Sequence, residues 1–230
     1  MNAIHSRSLA DTIDAVEESF FQGGAMSATE KRAVAHWIAG RQGLPGSYAG
    51  MFAPTDRDWC GIAVFTGERI GTRAGISHVL GEEACRALIQ LGTPEEASRK
   101  ALNRATHGML DRLQPLGDGS TSKTGMYCCG TCSVALWRHL AVGGLSRSER
   151  RLVAGMRSLR AHRAGGGRWR RFPFWFTLLA LSEIEVTGAR REMEYAAPVC
   201  ERYIRLRQSR PRNTYSPRRR LVAERILEKC

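Results

Sequence analysis

An all-α fold, built as an array of helical hairpins, is what this sequence predicts, and three observations carry the prediction. Apolar residues recur at the spacing of one helix face along most of the chain. No stretch alternates with period two over a useful length, so no segment reads as a strand. Between Gly125 and Ile184, three helical segments are cut apart at Gly143-Gly144 and Gly165-Gly166-Gly167, where a helix needs a left-handed or flexible exit. Roughly nine or ten helices are expected.

The first helix runs from Ser8 to Phe21, with Leu9, Ile13, Val16 and Phe20 on one face, Ser8 and Asp11 as a capping pair and Gly23-Gly24 as the stop. Ser27 with Glu30 forms a second capping box and opens a helix whose inner face is Val34, Trp37 and Ile38. RQGLPGSYAGMFAPT, residues 41–55, reads as a loop, and loops of that length inside compact domains often carry function. Thr55 opens a short helix through Trp59, Ile62 and Phe65. A longer one follows from Thr72 to Leu91, with Gly81 expected to break or bend it. Thr93-Pro94-Glu95-Glu96 is a start signal with a hydroxyl cap, an early proline and acids facing the dipole, and its helix reaches Leu113. Beyond the central stretch, Arg190 to Arg207 is helical, and Pro198 must begin a new helix or kink this one. RQSRPRNTYSPRRR, residues 207–220, is a basic linker in which Ser216-Pro217 opens a closing helix carrying Leu221, Val222 and Ile226.

A chain of 230 residues that is 43% hydrophobic can bury a full core. MNAIHSRSLADTI shows no positively charged start followed by an apolar stretch, and the longest apolar run, Phe172 to Leu181, is about ten residues where a membrane span needs roughly twenty, so a soluble, unexported protein is expected. Its seven cysteines, an odd number, read as thiols or metal ligands in a reducing cytoplasm rather than as a disulfide framework. Charge divides the chain into a helical front, residues 1–116, that is acidic to neutral, and a strongly basic back, residues 125–230, the two expected to pack as one unit. Residues 1–125 hold 13 Lys+Arg against 14 Asp+Glu, whereas residues 126–230 hold 22 against 8. Such asymmetry points to an anionic partner, whether nucleic acid, phosphate or an acidic protein surface, although a solvated arginine face also accounts for it.

Several stretches could carry chemistry. GDGSTSKT, residues 117–124, departs from the phosphate-binding pattern G-x-x-x-x-G-K-[ST] at Ser122 and lacks a preceding strand, so it reads as a polar hinge. Asp56-Arg57-Asp58 could present carboxylates to a magnesium diphosphate, but a helix-capping role is simpler. His36, His78, His107, His139 and His162 have no acid or nucleophile at telling spacing. Cys128, Cys129 and Cys132 stand at a helix start, where free N–H groups favour a thiolate. Cys128 and Cys132 fall one turn apart, roughly 6 Å along one face, and could share a metal such as zinc with ligands from elsewhere. Cys129 is turned about 100° away from Cys128. The expectation is that Cys128 and Cys132 line the interior, as metal ligands or as small buried hydrophobes, and that Cys129 acts as a lone thiol.

Trp169, Phe172, Phe174, Trp175 and Phe176 follow the glycine run with Arg168, Arg170 and Arg171 interleaved. They either line an apolar cavity with arginines at its mouth or plug the core. Tyr127, Trp137, Arg168, Trp169, Phe172 and Trp175 are the residues expected to meet a ligand on the first of these readings.

The order of parts in the central stretch, YCCGTCSVALWRHL, then Gly-Gly-Leu, then a helix ending in a glycine turn and GRW, then FPFWFTLLALSEI, resembles the repeats of the terpenoid cyclase and protein prenyltransferase superfamily. The glycine turn before Trp169 looks like the G-x-W end of that repeat. The resemblance implies a partial α/α toroid and an apolar or prenyl-like ligand. It does not extend to the family's zinc-binding histidine, where Pro173 stands here, nor to a D-x-D-D run, which this chain lacks. Three functions therefore compete: a cavity for a prenyl-like ligand, a basic helical array that binds nucleic acid, and a regulatory or structural subunit that docks on an acidic partner or forms an oligomer.

Overall fold

The structure, a computed structural model, describes residues 3–24, 26–113, 125–206 and 213–230. The fold is all-α. Among the described residues there are nine α-helices, α1 (Leu9–Phe21), α2 (Ala28–Ala39), α3 (Arg73–Leu91), α4 (Glu96–Leu113), α5 (Gly130–Ala141), α6 (Ser148–Ala161), α7 (Phe174–Glu183), α8 (Thr187–Leu206) and α9 (Ser216–Glu228). Two antiparallel hairpins accompany them, β1 (Ile62–Ala63) with β2 (Arg69–Ile70), and β3 (Arg163–Gly165) with β4 (Arg168–Trp169). No described helix is long and apolar enough to cross a membrane. The hinge at residues 117–124 and the first part of the basic linker, residues 207–212, lie outside the described residues.

The chain divides into two compact units, the first comprising Met1–Val64, Arg69–Pro115 and Val142–Ser146, the second Phe65–Glu68, Leu116–Ala141 and Arg147–Cys230. In the first unit α3 is the centre, with α1, α2 and α4 packed around it. Ser8 and the Ser27/Glu30 box cap α1 and α2 as the sequence predicts. Gly81 does not break α3. A Cβ there would stand 2.6 Å from Cε of Met51, so the residue lets the 41–55 segment approach. Gly108 does the same on α4, where a Cβ would stand 1.9 Å from the carbonyl oxygen of Ala49. The loop itself is pinned, since Gly43 and Ala53 donate backbone hydrogen bonds to Met51 and Arg41, and Met51, Phe52 and Ala53 are fully buried. Its end, residues 51–54, is core, while Gly43, Leu44, Pro45 and Gly46 stay exposed.

Two local expectations are corrected. The segment after Thr55 is a single 3-10 turn, Asp58–Cys60, followed by the β1–β2 hairpin, because Gly61 (φ 106°) and Gly67 (φ 88°) take conformations a helix cannot hold. Strands of two or three residues are also too short to show an alternating pattern, which is why neither hairpin is legible in the sequence. The helix after Thr93 starts at Glu96, a little later than its proline signal implies. α8 runs through Pro198 without interruption.

In the second unit α5 packs on α6 and α7, α6 on α8, and α7 on α8 and α9. α7 is apolar nearly all round, and both its ends are met by side chains from distant parts of the chain. Glu68 accepts from the Phe176 N–H in its first turn at 2.9 Å, and Lys229 donates to the Ser182 carbonyl in its last at 2.7 Å. Both contacts satisfy orphan backbone groups and match the helix dipole. α9 starts at Ser216-Pro217 as expected, and Arg218 and Arg219 donate to the carbonyls of Phe65 and Thr66.

Candidate functional site

One stripe of the second unit's basic residues lies where α6 faces outward. Gly155 sets that orientation, since a Cβ there would stand 2.4 Å from Nε1 of Trp137 on α5, so this side of α6 must lie against the Trp137 ring. Leu152, Met156 and Leu159 are buried on the same side. At about 100° per residue, Arg150, Arg157 and Arg160 fall on the opposite side within an arc of about 80° and over about 15 Å. All three are exposed, as is Arg147 at the N-cap. Among the described residues Arg150, Arg157 and Arg160 form no ion pair. Arg151, by contrast, is buried, and burial first, then the neighbouring charge of Arg147, lowers its pKa.

The residues offered as a ligand cavity fall into three places: Trp137 with Phe172, a continuous cluster in which Phe174 joins Arg168, Trp169 and Trp175, and Tyr127. Trp137, which is fully buried, and Phe172 stack on each other with ring centroids 5.4 Å apart. At the β3–β4 hairpin, the buried Trp169 donates its Nε1–H to Glu192 at 2.9 Å, and Arg163 makes a forked contact with the same carboxylate at 2.9 and 3.1 Å. Arg168 is exposed and lies 4.3 Å over the ring of Phe174, while half-buried Trp175 meets Tyr203 at 4.4 Å. Tyr127 sits ahead of α5, where its N–H donates to Ser133 Oγ.

The thiols are arranged differently from the expectation. α5 begins at Gly130, so Cys128 and Cys129 precede it and a helical 100° step does not govern their directions. Cys128 is exposed rather than interior, Cys129 is exposed, and only Cys132 is buried. Cys129 is the N-cap, its carbonyl accepting from the Ser133 N–H at 2.9 Å and from Ser133 Oγ at 2.7 Å. Its sulfur accepts from the Cys132 N–H at 3.5 Å. The Sγ atoms of Cys128 and Cys132 lie within 4.8 Å of each other, a pair that could hold one soft cation. Hydrogen bonding to Cys128, then to Cys129, and then burial push the Cys132 thiol far up, so it keeps its proton beside its neighbours. The C-x-x-C spacing of Cys129-Gly130-Thr131-Cys132 is the signal that a helix-face reading of these residues misses.

Asp58 and three of the histidines are engaged by other groups of the protein. Both oxygens of Asp58 accept hydrogen bonds from the protein itself, so its capping role holds, though the helix it caps is the distant α1. His78 is buried and stacks on Tyr48, and Nδ1 of His107 and of His162 meets a carbonyl one turn earlier. No family model matches this chain, and no curated protein or solved structure matches it.

Proposed function

We propose that the second unit binds nucleic acid through its phosphates, using the outer face of α6. The observation that carries this reading is the stripe of Arg150, Arg157 and Arg160, exposed and free of acidic partners on a helix whose other side is committed to the core. Its length of about 15 Å covers several phosphates of a strand at about 3.4 Å per nucleotide along the duplex axis. The 22 basic residues against 8 acidic ones in residues 126–230 supply the long-range attraction. The apolar-ligand reading has less support, because Trp137 and Phe172 occupy each other's contact surface and Trp169 is tied to Glu192. A rise in melting temperature with an isoprenoid diphosphate would restore it.

The test is binding of a short duplex and a single strand across a salt series, with the wild type and an Arg150→Glu/Arg157→Glu/Arg160→Glu variant. Wild-type affinity is expected to fall steeply with salt, and the variant to lower the log–log slope by about 2–3, since each lost phosphate contact removes about 0.7–0.9. Circular dichroism should be unchanged, because none of the three side chains enters the core. Salt-independent binding, or a variant that binds as well as the wild type, sinks the proposal. Equal affinity for polyglutamate identifies an acidic protein surface instead.

A further inference from the structure

We infer that Cys129 and Cys132 are a redox-active dithiol, which closes to an intramolecular disulfide by exchange with a small disulfide of the glutathione class. The inference is independent of the nucleic-acid reading and rests on how the two sulfurs are placed. Cys129 is exposed at the N-cap of α5, a helix of 12 residues, where its sulfur is open to solvent and accepts from the Cys132 N–H at 3.5 Å. Cys132 lies three residues on and is 2% exposed, which shields it from direct attack by a solution disulfide. The Cys129 sulfur already lies 3.5 Å from the Cys132 backbone nitrogen and within side-chain hydrogen-bonding reach of the Cys132 thiol, so the two sulfurs are neighbours that rotation about χ1 can bring into bonding contact. The two thiols thus differ in role. Cys129 meets the substrate and Cys132 resolves the product.

In the first step the Cys129 thiolate attacks one sulfur of the small disulfide, forming a mixed disulfide and releasing one thiolate, which takes up the proton that Cys129 gave to solvent. In the second, Cys132 loses its proton and its sulfur attacks Cys129 Sγ. The bond to the small thiol breaks, and that second leaving thiolate receives the proton. Two cysteine thiols are oxidised to one disulfide and one small disulfide is reduced to two thiols, a balanced two-electron exchange. Cys128, whose sulfur is near that of Cys132, is the rival partner.

The experiment equilibrates reduced full-length protein with glutathione buffers of rising oxidised fraction, quenches with acid, alkylates, and maps peptides by mass. The expected result is loss of two hydrogen atoms in one transition, with a single link between positions 129 and 132 and with Cys60, Cys85, Cys200 and Cys230 recovered as alkylated thiols. Cys128→Ser should keep the link, and Cys132→Ser should leave glutathione trapped on Cys129. The wild-type map needs no variant to fold. A link from Cys128 to Cys132, full alkylation at every buffer ratio, or stoichiometric zinc that shields Cys128 and Cys132 from the alkylating agent would each overturn the inference.

Discussion

Replacing Asp58 with alanine is expected to destabilise the first unit by about 3–5 kcal/mol, among the largest effects of any single substitution in it. The carboxylate is 1% exposed and accepts five hydrogen bonds, from the Oγ and backbone N–H groups of Ser8, Leu9, Ala10 and Thr55. Two of those donors, the N–H groups of Leu9 and Ala10, open α1 and have no intrahelical acceptor. Alanine therefore leaves helix-end donors buried and unpaired, each costing about 1–3 kcal/mol. Asn should recover part of the loss, because one amide oxygen still accepts while its NH2 group faces donors. Because two compact units need not melt together, the readout is amide exchange along α1 beside the urea midpoint. Exchange rates in α1 that match the wild type would show that Asp58 does not hold this helix end.

The Asp58 contact also shows where the sequence stops being informative. Local signals placed most helices, because a cap such as Ser27 with Glu30 is satisfied within one turn. The α1 partners of Asp58 lie some 48 to 50 positions away in the chain and carry no trace of it in composition or spacing. The same holds for Glu68, whose partner Phe176 lies 108 positions on. In the central stretch the glycines were legible as helix breaks, but Gly130 was not legible as a close approach. A Cβ there would stand 1.9 Å from the Arg171 carbonyl, so the segment holding the left-handed Arg171 (φ 66°) crosses the first turn of α5. The arginines of α6 were visible as charge. Their common face became definite only once Gly155 was seen against Trp137. The thiols were visible as a cluster, but placing all three inside the helix hid the distinction between an exposed capping Cys129 and a buried Cys132.

In the second unit, Glu183→Ala should cost about 3–5 kcal/mol, because it strips the carboxylate from a guanidinium that has left water entirely. Arg138 on α5 has no exposed side-chain surface, and its Nε and Nη2 reach the two oxygens of Glu183, at the end of α7, at 2.9 and 3.0 Å. The guanidinium also lies 5.4 Å over the ring of Phe176, so its charge sits between α5 and α7. Loss of packing and loss of charge pairing predict different outcomes for a double variant. If packing dominates, Arg138→Met with Glu183→Leu adds a second loss to the first. If the stranded charge dominates, removing both groups recovers most of the stability, because neither partner then bears an uncompensated desolvation cost. Denaturation of the wild type, both single variants and the double variant closes a thermodynamic cycle, and a coupling of about 2–3 kcal/mol is expected. A coupling near zero would mean that the two side chains hold α5 to α7 by shape alone.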